Sequence, residues 1–381
     1  SQLLQSIDVI EVIGDTHREI SGIVSDSRCA AKDMMFVAVR GVNVDGHQYI
    51  PQLNGKGLGA IICEQLPQSI DGDVTYVRVE NSAIALGKLA SQWWDNPSQK
   101  LKLVGVTGTN GKTTTATLLY DLFKMLGYRA GLISTVVYRV GEREIESTHT
   151  TPDAIRLNAM LREMVDEGCD YCFMECSSHA IVQDRIRALR FAGGMFTNLT
   201  HDHLDYHKTF AEYIRAKKLF FDRLPKEAFA LTNIDDRNGR VMVQNTRAAV
   251  RTLSLRSMAD FRCKLVEQLL DGMLLRLDGE EVWVKCIGRF NAYNMLTIYA
   301  AALMLGQRKE EVLTALSALH SVSGRFEYIR AEDGTTAVVD YAHTPDALEN
   351  VIATINDIRC GGARLIVVCG CGGDRDPSKR E

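Results

Sequence analysis

The stretch Lys102-Leu103-Val104-Gly105-Val106, Thr107-Gly108-Thr109-Asn110-Gly111-Lys112, Thr113-Thr114 decides the fold. Its first five residues read as an apolar strand and the text after Lys112 as a helix, so the glycines fall in the turn between them. Glycine lets backbone N–H groups wrap a phosphate, and a helix N-terminus adds positive potential. Lys112 can reach terminal phosphates, and the Thr113 hydroxyl can bind Mg2+. Gly108, Thr109, Asn110, Gly111, Lys112, Thr113 and Thr114 thus form a candidate ATP-phosphate site. Val106 stands where a strict version of the loop has Gly or Ala, which makes this a variant. The competing reading is a glycine turn that only caps a helix.

Working outward, apolar strands recur after helices at Ala130–Thr135, Asp170–Glu175, Gly193–Asn198 and Glu227–Asn233. That rhythm predicts a parallel sheet covered on both faces, an α/β fold. Before it, residues 1–98 alternate short strand-like runs with turns and close on a helix before Pro97, which reads as a separate small α/β domain. After it come hairpin-like alternation around 248–285, as in GMLLRLDGEEVWVKC (272–286), and two helices, 291–305 and 310–319. A last section from Gly324 holds a strand at 336–342, a helix at 346–358 and a strand at 364–370. It is too short for an independent α/β domain and is expected to be the start of an incomplete one. The expected domains are 1–98, 99–323 and 324–381.

A chain of 381 residues at net charge −4 has no basic excess to hold nucleic acid or anionic lipid. Its apolar runs are too short for a membrane span, and the acidic start does not resemble a signal peptide. The expectation is a cytoplasmic monomer that meets neither nucleic acid nor membrane. Ten scattered cysteines without a signal peptide favour reduced structural thiols over disulfides or zinc, Cys169, Cys172 and Cys176 included.

Other residues carry weaker signals. Glu175 ends a strand at the edge where open α/β sheets place ligands, although a capping acid would also fit. Five of the nine histidines fall between His149 and His207, several in Thr200-His201-Asp202-His203-Leu204-Asp205-Tyr206-His207. Thr113, Glu175 and one of these histidines could give an oxygen and nitrogen shell for Mg2+ or Mn2+. Lys217 lies on an apolar helical stripe with Tyr213, Ile214, Phe220 and Phe221, so it either snorkels or is held inside by a partner or a modification. Asn233-Ile234-Asp235-Asp236 has a faint likeness to a guanine-reading motif, but Ile234 replaces its lysine and GTP is discounted.

Taken together, GVTGTNGKTTT (105–115), HTTPD (149–153), MECSSHAIVQDRI (174–186), TNLTHDHLDYH (197–207), AKKLFF (216–221), GRFNAYNMLTIYAA (288–301), SGRFE (323–327), VVDYAHTPDALE (338–349) and GCGGDRD (370–376) resemble the Mur ligases, within them the MurE type. The resemblance covers essentially the whole chain. It implies three domains: one for a uridine nucleotide, a central P-loop ATPase and a Rossmann-like domain for the incoming amino acid. The implied reaction joins meso-diaminopimelate to UDP-N-acetylmuramoyl-L-alanyl-D-glutamate with ATP and Mg2+ in peptidoglycan synthesis, the alternative being an L-lysine-adding enzyme.

By motif, Thr113, Glu175 and His203 look like metal contacts, and Lys217 like the family's carbamylated lysine. Lys112, Lys217, His203 and Glu175 make the implied catalytic set. Asp26, Ser27 and Arg28 resemble uridine contacts, and Thr150, Thr151, Ser177, Gln183 and Arg185 those of the muramoyl dipeptide. Asn291 and Asn294 look like adenine-side contacts, with Arg325 near the phosphates, Asp340 on the ribose and Arg375 in the amino-acid region. Family members continue past this point with a D-N-P-R segment, so the 381-residue chain is expected to bind its first substrate and ligate poorly. The rivals are folylpolyglutamate synthase, another Mur ligase and a non-catalytic nucleotide-dependent binding subunit.

Overall fold

A computed structural model describes residues 2–41, 44–200, 204–359 and 362–370, with the side chains of 204 and 205 excluded. The chain packs as two compact units. One takes in Ser1–Lys102, Thr151–Asp170 and His179–Arg190, and the other the remaining residues.

In the first unit, strands β1 (Val9–Ile13), β2 (Gly22–Val24), β3 (Met34–Val37), β4 (Ala60–Cys63) and β5 (Thr75–Val79) form a sheet ordered β1-β5-β4-β3-β2. The strands β2 to β5 are parallel, and β1 runs antiparallel to β5. Alternate residues serve opposite cores. Met35, Val37, Ile62 and Val77 pack with Ala85, Leu86 and Leu89 of helix α1 (Ser82–Trp93), while Phe36, Ile61 and Tyr76 pack with Ile50, Leu53 and Leu58. Both faces are covered, which is why these runs are continuously apolar.

The second unit is built on an eleven-stranded sheet. Its strands are β6 (Lys102–Thr107), β7 (Ala130–Ile133), β8 (Val137–Val140), β9 (Arg143–Glu146), β10 (Tyr171–Glu175), β11 (Gly193–Phe196), β12 (Phe229–Asn233), β13 (Ala249–Ser254), β14 (Phe261–Leu269), β15 (Gly272–Leu277) and β16 (Glu280–Val284). The order is β16-β15-β14-β13-β12-β11-β6-β10-β7-β8-β9. The centre is parallel, while β8–β9 at one end and β15–β16 at the other are antiparallel. The sheet thus places β6, and the loop that follows it, between β11 and β10.

The helices of the middle region are α2 (Lys112–Met125), α3 (Ala154–Asp166), α4 (Ser178–Val182), α5 (Leu204–His207), α6 (Phe210–Asp222), α7 (Gly239–Met242), α8 (Arg289–Met304) and α9 (Lys309–Ala318). Helix α3 packs against α1 in the first unit. Leu118, Leu119 and Phe123 of α2 share one core with Met295, Leu296 and Tyr299 of α8 and with Val104, Val106 and Phe173 of the sheet. Val106 is fully buried there, so its side chain completes the strand, and the backbone leaves the sheet only at Gly108.

The last section holds an antiparallel pair, β17 (Glu327–Arg330) and β18 (Thr336–Val339), and helix α10 (Pro345–Ile358), whose N-terminus Thr344 caps. The strand expected over 364–370 is not formed. No described neighbour offers it a hydrogen-bonded ladder, and Ile366 and Val368 stand 69% and 94% exposed. Cys63, Cys169, Cys172, Cys176, Cys263 and Cys286 are buried thiols, and burial pushes Cys63 up to about 11 and Cys263 to about 12. No described helix is long and apolar enough to cross a membrane.

The centre of β6 is tightly packed: a Cβ on Gly105 would lie 2.6 Å from the Phe220 ring, 2.8 Å from Cys176 Sγ and 3.0 Å from the Phe191 ring. Gly105→Ala is therefore expected to cost about 1–3 kcal/mol of stability by overpacking, read from urea unfolding of the purified chain. A variant as stable as the parent would show that the strand has room to shift.

Candidate nucleotide and substrate site

The loop after β6 is held from beneath. Gly108, at φ 153°, admits no side chain, because a Cβ would collide with the Thr197 hydroxyl. The Thr109 N–H donates to the Asn198 carbonyl (2.9 Å) and the Asn110 N–H to Asn198 Oδ1 (2.9 Å). In return the Asn110 carbonyl accepts from Thr197 Oγ1 (2.7 Å) and Asn198 Nδ2 (3.1 Å). Lys112 Nζ donates to the carbonyls of Gly108 (2.9 Å) and Thr109 (2.8 Å). No side chain caps α2, whose N-cap is Gly111 at φ 87°, whereas Asp153 caps α3 and Thr209 caps α6. The N-terminus of α2 thus keeps its positive potential for a ligand.

Lys217 is 1% exposed, and the apolar-stripe reading of its helix holds. Its Nζ does not snorkel to solvent. It donates to the Gly108 carbonyl at 2.9 Å and lies 4.7 Å from the centre of the Tyr213 ring. The Tyr213 hydroxyl in turn sits 3.2 Å from Thr109 Oγ1.

Glu175, at the end of β10, is 1% exposed and accepts from the Thr135 N–H at 2.7 Å. Thr135 Oγ1 also donates to Thr150 Oγ1 at 3.1 Å. Ser177 follows Glu175 on the same connection into α4. Thr113 is buried, and its Oγ1 accepts from Arg325 Nη2 at 3.1 Å. The Arg325 guanidinium lies 4.7 Å from the Tyr341 ring, and its buried Nε has no hydrogen-bond partner among the described residues. Asn294 reaches the loop as well: its Oδ1 would lie 2.6 Å from a Cβ on Gly111, and its Nδ2 donates to Asn291 Oδ1 at 2.9 Å. Asp340 accepts from the Phe326 N–H at 2.7 Å, and burial raises its carboxyl above the usual range. The loop thereby gathers Lys217, Asn294 and Arg325, three residues distant in sequence. His203 and Arg375 lie outside the described residues.

In the first unit, Arg185 Nη1 donates to the Thr151 carbonyl (3.0 Å) while its Nε and Nη2 donate to Gln183 Oε1 (3.0 and 2.6 Å). These three expected dipeptide contacts are one hydrogen-bonded group. Asp26 and Arg28 flank Ser27 on an exposed turn and pair with each other, Nη2 to Oδ2 at 2.6 Å.

Sequence reasoning missed two contacts with the loop. Asn198 was visible only as part of a motif, and Asp346 of α10 accepts from Asn110 Nδ2 at 3.2 Å. Polar residues that follow strands beside the glycine loop were the available signal for the first.

Three family models match the chain. They are described as Mur ligase middle domain over residues 106–302, Mur ligase glutamate ligase domain over 324–381, and Mur ligase family catalytic domain over 19–94. The chain belongs to the Mur ligase family. Among curated relatives of this Mur ligase, proteins of Phocaeicola vulgatus and Cytophaga hutchinsonii are 55% and 54% identical over 379 residues, which are 100% and 99% of this chain and 78% of each relative. Both are named UDP-N-acetylmuramoyl-L-alanyl-D-glutamate--2,6-diaminopimelate ligase. A solved structure of a ligase with that name matches with TM-score 0.81 at 26% identity, over 100% of this chain and 78% of its own. A folylpolyglutamate synthase of Mycobacterium tuberculosis, at 16% identity and TM-score 0.57 over 72% of this chain and 70% of its own, shares the fold.

The Arg28 guanidinium holds the Asp26 carboxyl down to about 2. A lowered folded value stabilises above the ordinary carboxylate range and loses its effect as pH falls toward 2. Carboxyl NMR of Asp26 is therefore expected to show a midpoint near pH 2, rising toward the ordinary value in Arg28→Gln. A parent midpoint near 4 would mean the pair does not persist in solution.

Proposed function

We propose that this Mur ligase joins meso-diaminopimelate to UDP-N-acetylmuramoyl-L-alanyl-D-glutamate, converting ATP to ADP and phosphate. The observation that carries the reading is identity above 50% along the whole chain to relatives bearing that ligase's name. Diaminopimelate is preferred to lysine on the same ground. The domains proposed for the work are 1–98 for the uridine nucleotide, 99–323 for ATP and 324–381 for the incoming amino acid.

In the reaction so proposed, the D-glutamate carboxylate attacks the γ-phosphate to give an acyl phosphate, and the incoming amine then displaces phosphate. Both reactants of the first step are anions, so the chain must neutralise and align them. Lys112 exchanges its loop carbonyls for the terminal phosphates, while the α2 N-terminus holds the β-phosphate side. Arg325, whose Nη2 already meets the Thr113 hydroxyl, turns to the phosphates. Thr150, Thr151, Ser177, Gln183 and Arg185 hold the dipeptide, and Asp26, Ser27 and Arg28 the uridine end. Asn291 and Asn294 meet the adenine, Asp340 the ribose and Arg375 the amino acid.

The hard oxygen donors Thr113 Oγ1 and the buried Glu175 carboxylate suit Mg2+, with His203 beside them by motif. Mg2+ would supply neutralisation of charge on the phosphates. Lys217 is proposed to be carbamylated, which would replace a buried cation by an anion that can lean on that metal.

Calorimetry of the 381-residue chain should show binding of UDP-N-acetylmuramoyl-L-alanyl-D-glutamate that depends on the dipeptide, with UDP-N-acetylmuramic acid weaker and a pteroylglutamate not bound. Preference for the folate would overturn the assignment. Lys112→Ala should weaken Mg·ATP by roughly tenfold or more, since a hydrogen bond to a charged group is lost. Unchanged ATP affinity would remove Lys112 from the phosphate site.

A further inference from the structure

The Asn233-Ile234-Asp235-Asp236 segment, at the end of β12, bonds both to residues behind the phosphate loop and to helix α8. Asp236 Oδ2 accepts from the Leu199 N–H at 2.7 Å, and Asn233 Nδ2 donates to the Thr197 carbonyl at 2.9 Å. Thr197 and Asn198 are the residues that hold Asn110 of the phosphate loop. Asp235 faces elsewhere. Its carboxylate accepts from Ser254 Oγ (2.6 Å), the Leu255 N–H (2.7 Å), the Arg256 N–H (3.2 Å) and the Tyr293 hydroxyl (2.9 Å).

Tyr293 lies between Asn291 and Asn294 in the first turns of α8, and that asparagine pair is itself locked, with Asn291 Nδ2 donating to the Ile287 carbonyl at 2.8 Å. Helix α8 has no side-chain cap; the N–H of its N-cap Gly288 donates to Gln268 Oε1 at 3.1 Å, and Tyr293 adds a second tie one turn in. The Tyr293–Asp235 bond ties that turn to the ends of β12 and β13.

We propose that Asp235 is a positioning residue for the nucleotide: through the Tyr293 hydroxyl it sets the place of Asn291 and Asn294, while its neighbours Asn233 and Asp236 fix the phosphate loop. The inference rests on the nucleotide-site reading above but not on the identity of the acceptor substrate.

Tyr293→Phe removes one hydroxyl and leaves three of the four bonds to Asp235, so the fold is retained. Binding of Mg·ADP to the 381-residue chain, measured by calorimetry, is expected to weaken by roughly three- to tenfold, the range for residues that act on a ligand without touching it. Binding of UDP-N-acetylmuramoyl-L-alanyl-D-glutamate should stay unchanged. Asp235→Asn should shift Mg·ADP in the same direction, and the double variant should be no weaker than the worse single one.

An affinity for Mg·ADP within twofold of the parent in Tyr293→Phe overturns the proposal. So does equal weakening of both ligands together with a lowered Tm, which would mark a general structural role. If the parent chain itself bound no Mg·ADP, the nucleotide-site reading would fall and this inference with it. Failure of the UDP substrate alone would leave the ADP comparison decisive.

Discussion

A loop that offers backbone amides to an anion must have its carbonyls satisfied by the protein, and the rest of the central unit is arranged around that requirement. The carbonyls of Gly108, Thr109 and Asn110 accept from Lys112, Lys217, Thr197 and Asn198. An unsatisfied buried carbonyl costs about 1–3 kcal/mol, so several left unmade would be enough to collapse the loop. Of these carbonyl ties the one from Lys217 spans the most sequence, 109 residues. It obliges α6 to lie with its lysine inward, against the preference of an amine for water.

Strand order makes these ties possible. Because β6 sits between β10 and β11, the residues that follow both neighbours emerge beside the glycine loop: Glu175 and Ser177 from one side, Thr197 and Asn198 from the other. The chain visits this edge repeatedly, and each return adds a polar residue at the carboxyl ends of the strands, where such sheets bind ligands. Gly105, in the centre of β6, and Gly193, at the start of β11, leave room for Phe220 and Phe229 respectively, so helix and neighbouring strand close on the sheet without pushing the edge out of register.

Much of this was legible in the sequence because it is written locally. Strand, loop and helix around Gly108–Thr114 follow from apolar runs and glycine, and the inward face of Lys217 follows from a period of 3.6 residues. The antiparallel ends of the large sheet, β8 and β9, were not anticipated: Arg143-Glu144-Ile145-Glu146 is a charged edge strand that exists only because β8 pairs with it. The 364–370 run shows the converse, since apolar text without a ladder partner among the described residues stays exposed whatever its propensity. The Asp26–Arg28 pair could be suspected from spacing, but the tie from Tyr293 to Asp235 spans 58 residues and no local pattern encodes it. Val106 departs from the strict loop pattern for a packing reason, being one of the side chains that seal β6 against α2 and α8.

Charge completes the account. The chain carries a net −4, yet Lys112, Lys217 and Arg325 all bear on one loop. Lys217 meets a carbonyl and an aromatic face, and Arg325 a hydroxyl and another aromatic face. Dipoles and ring faces cancel a cation's field only in part, so Arg325 still attracts an anion. Overall acidity repels polyanions at long range, where salt screens it, while Lys112 and Arg325 act at short range, where it does not. A polyphosphate is therefore held only when it reaches the loop itself, which suits a site that must align two anions rather than merely collect them.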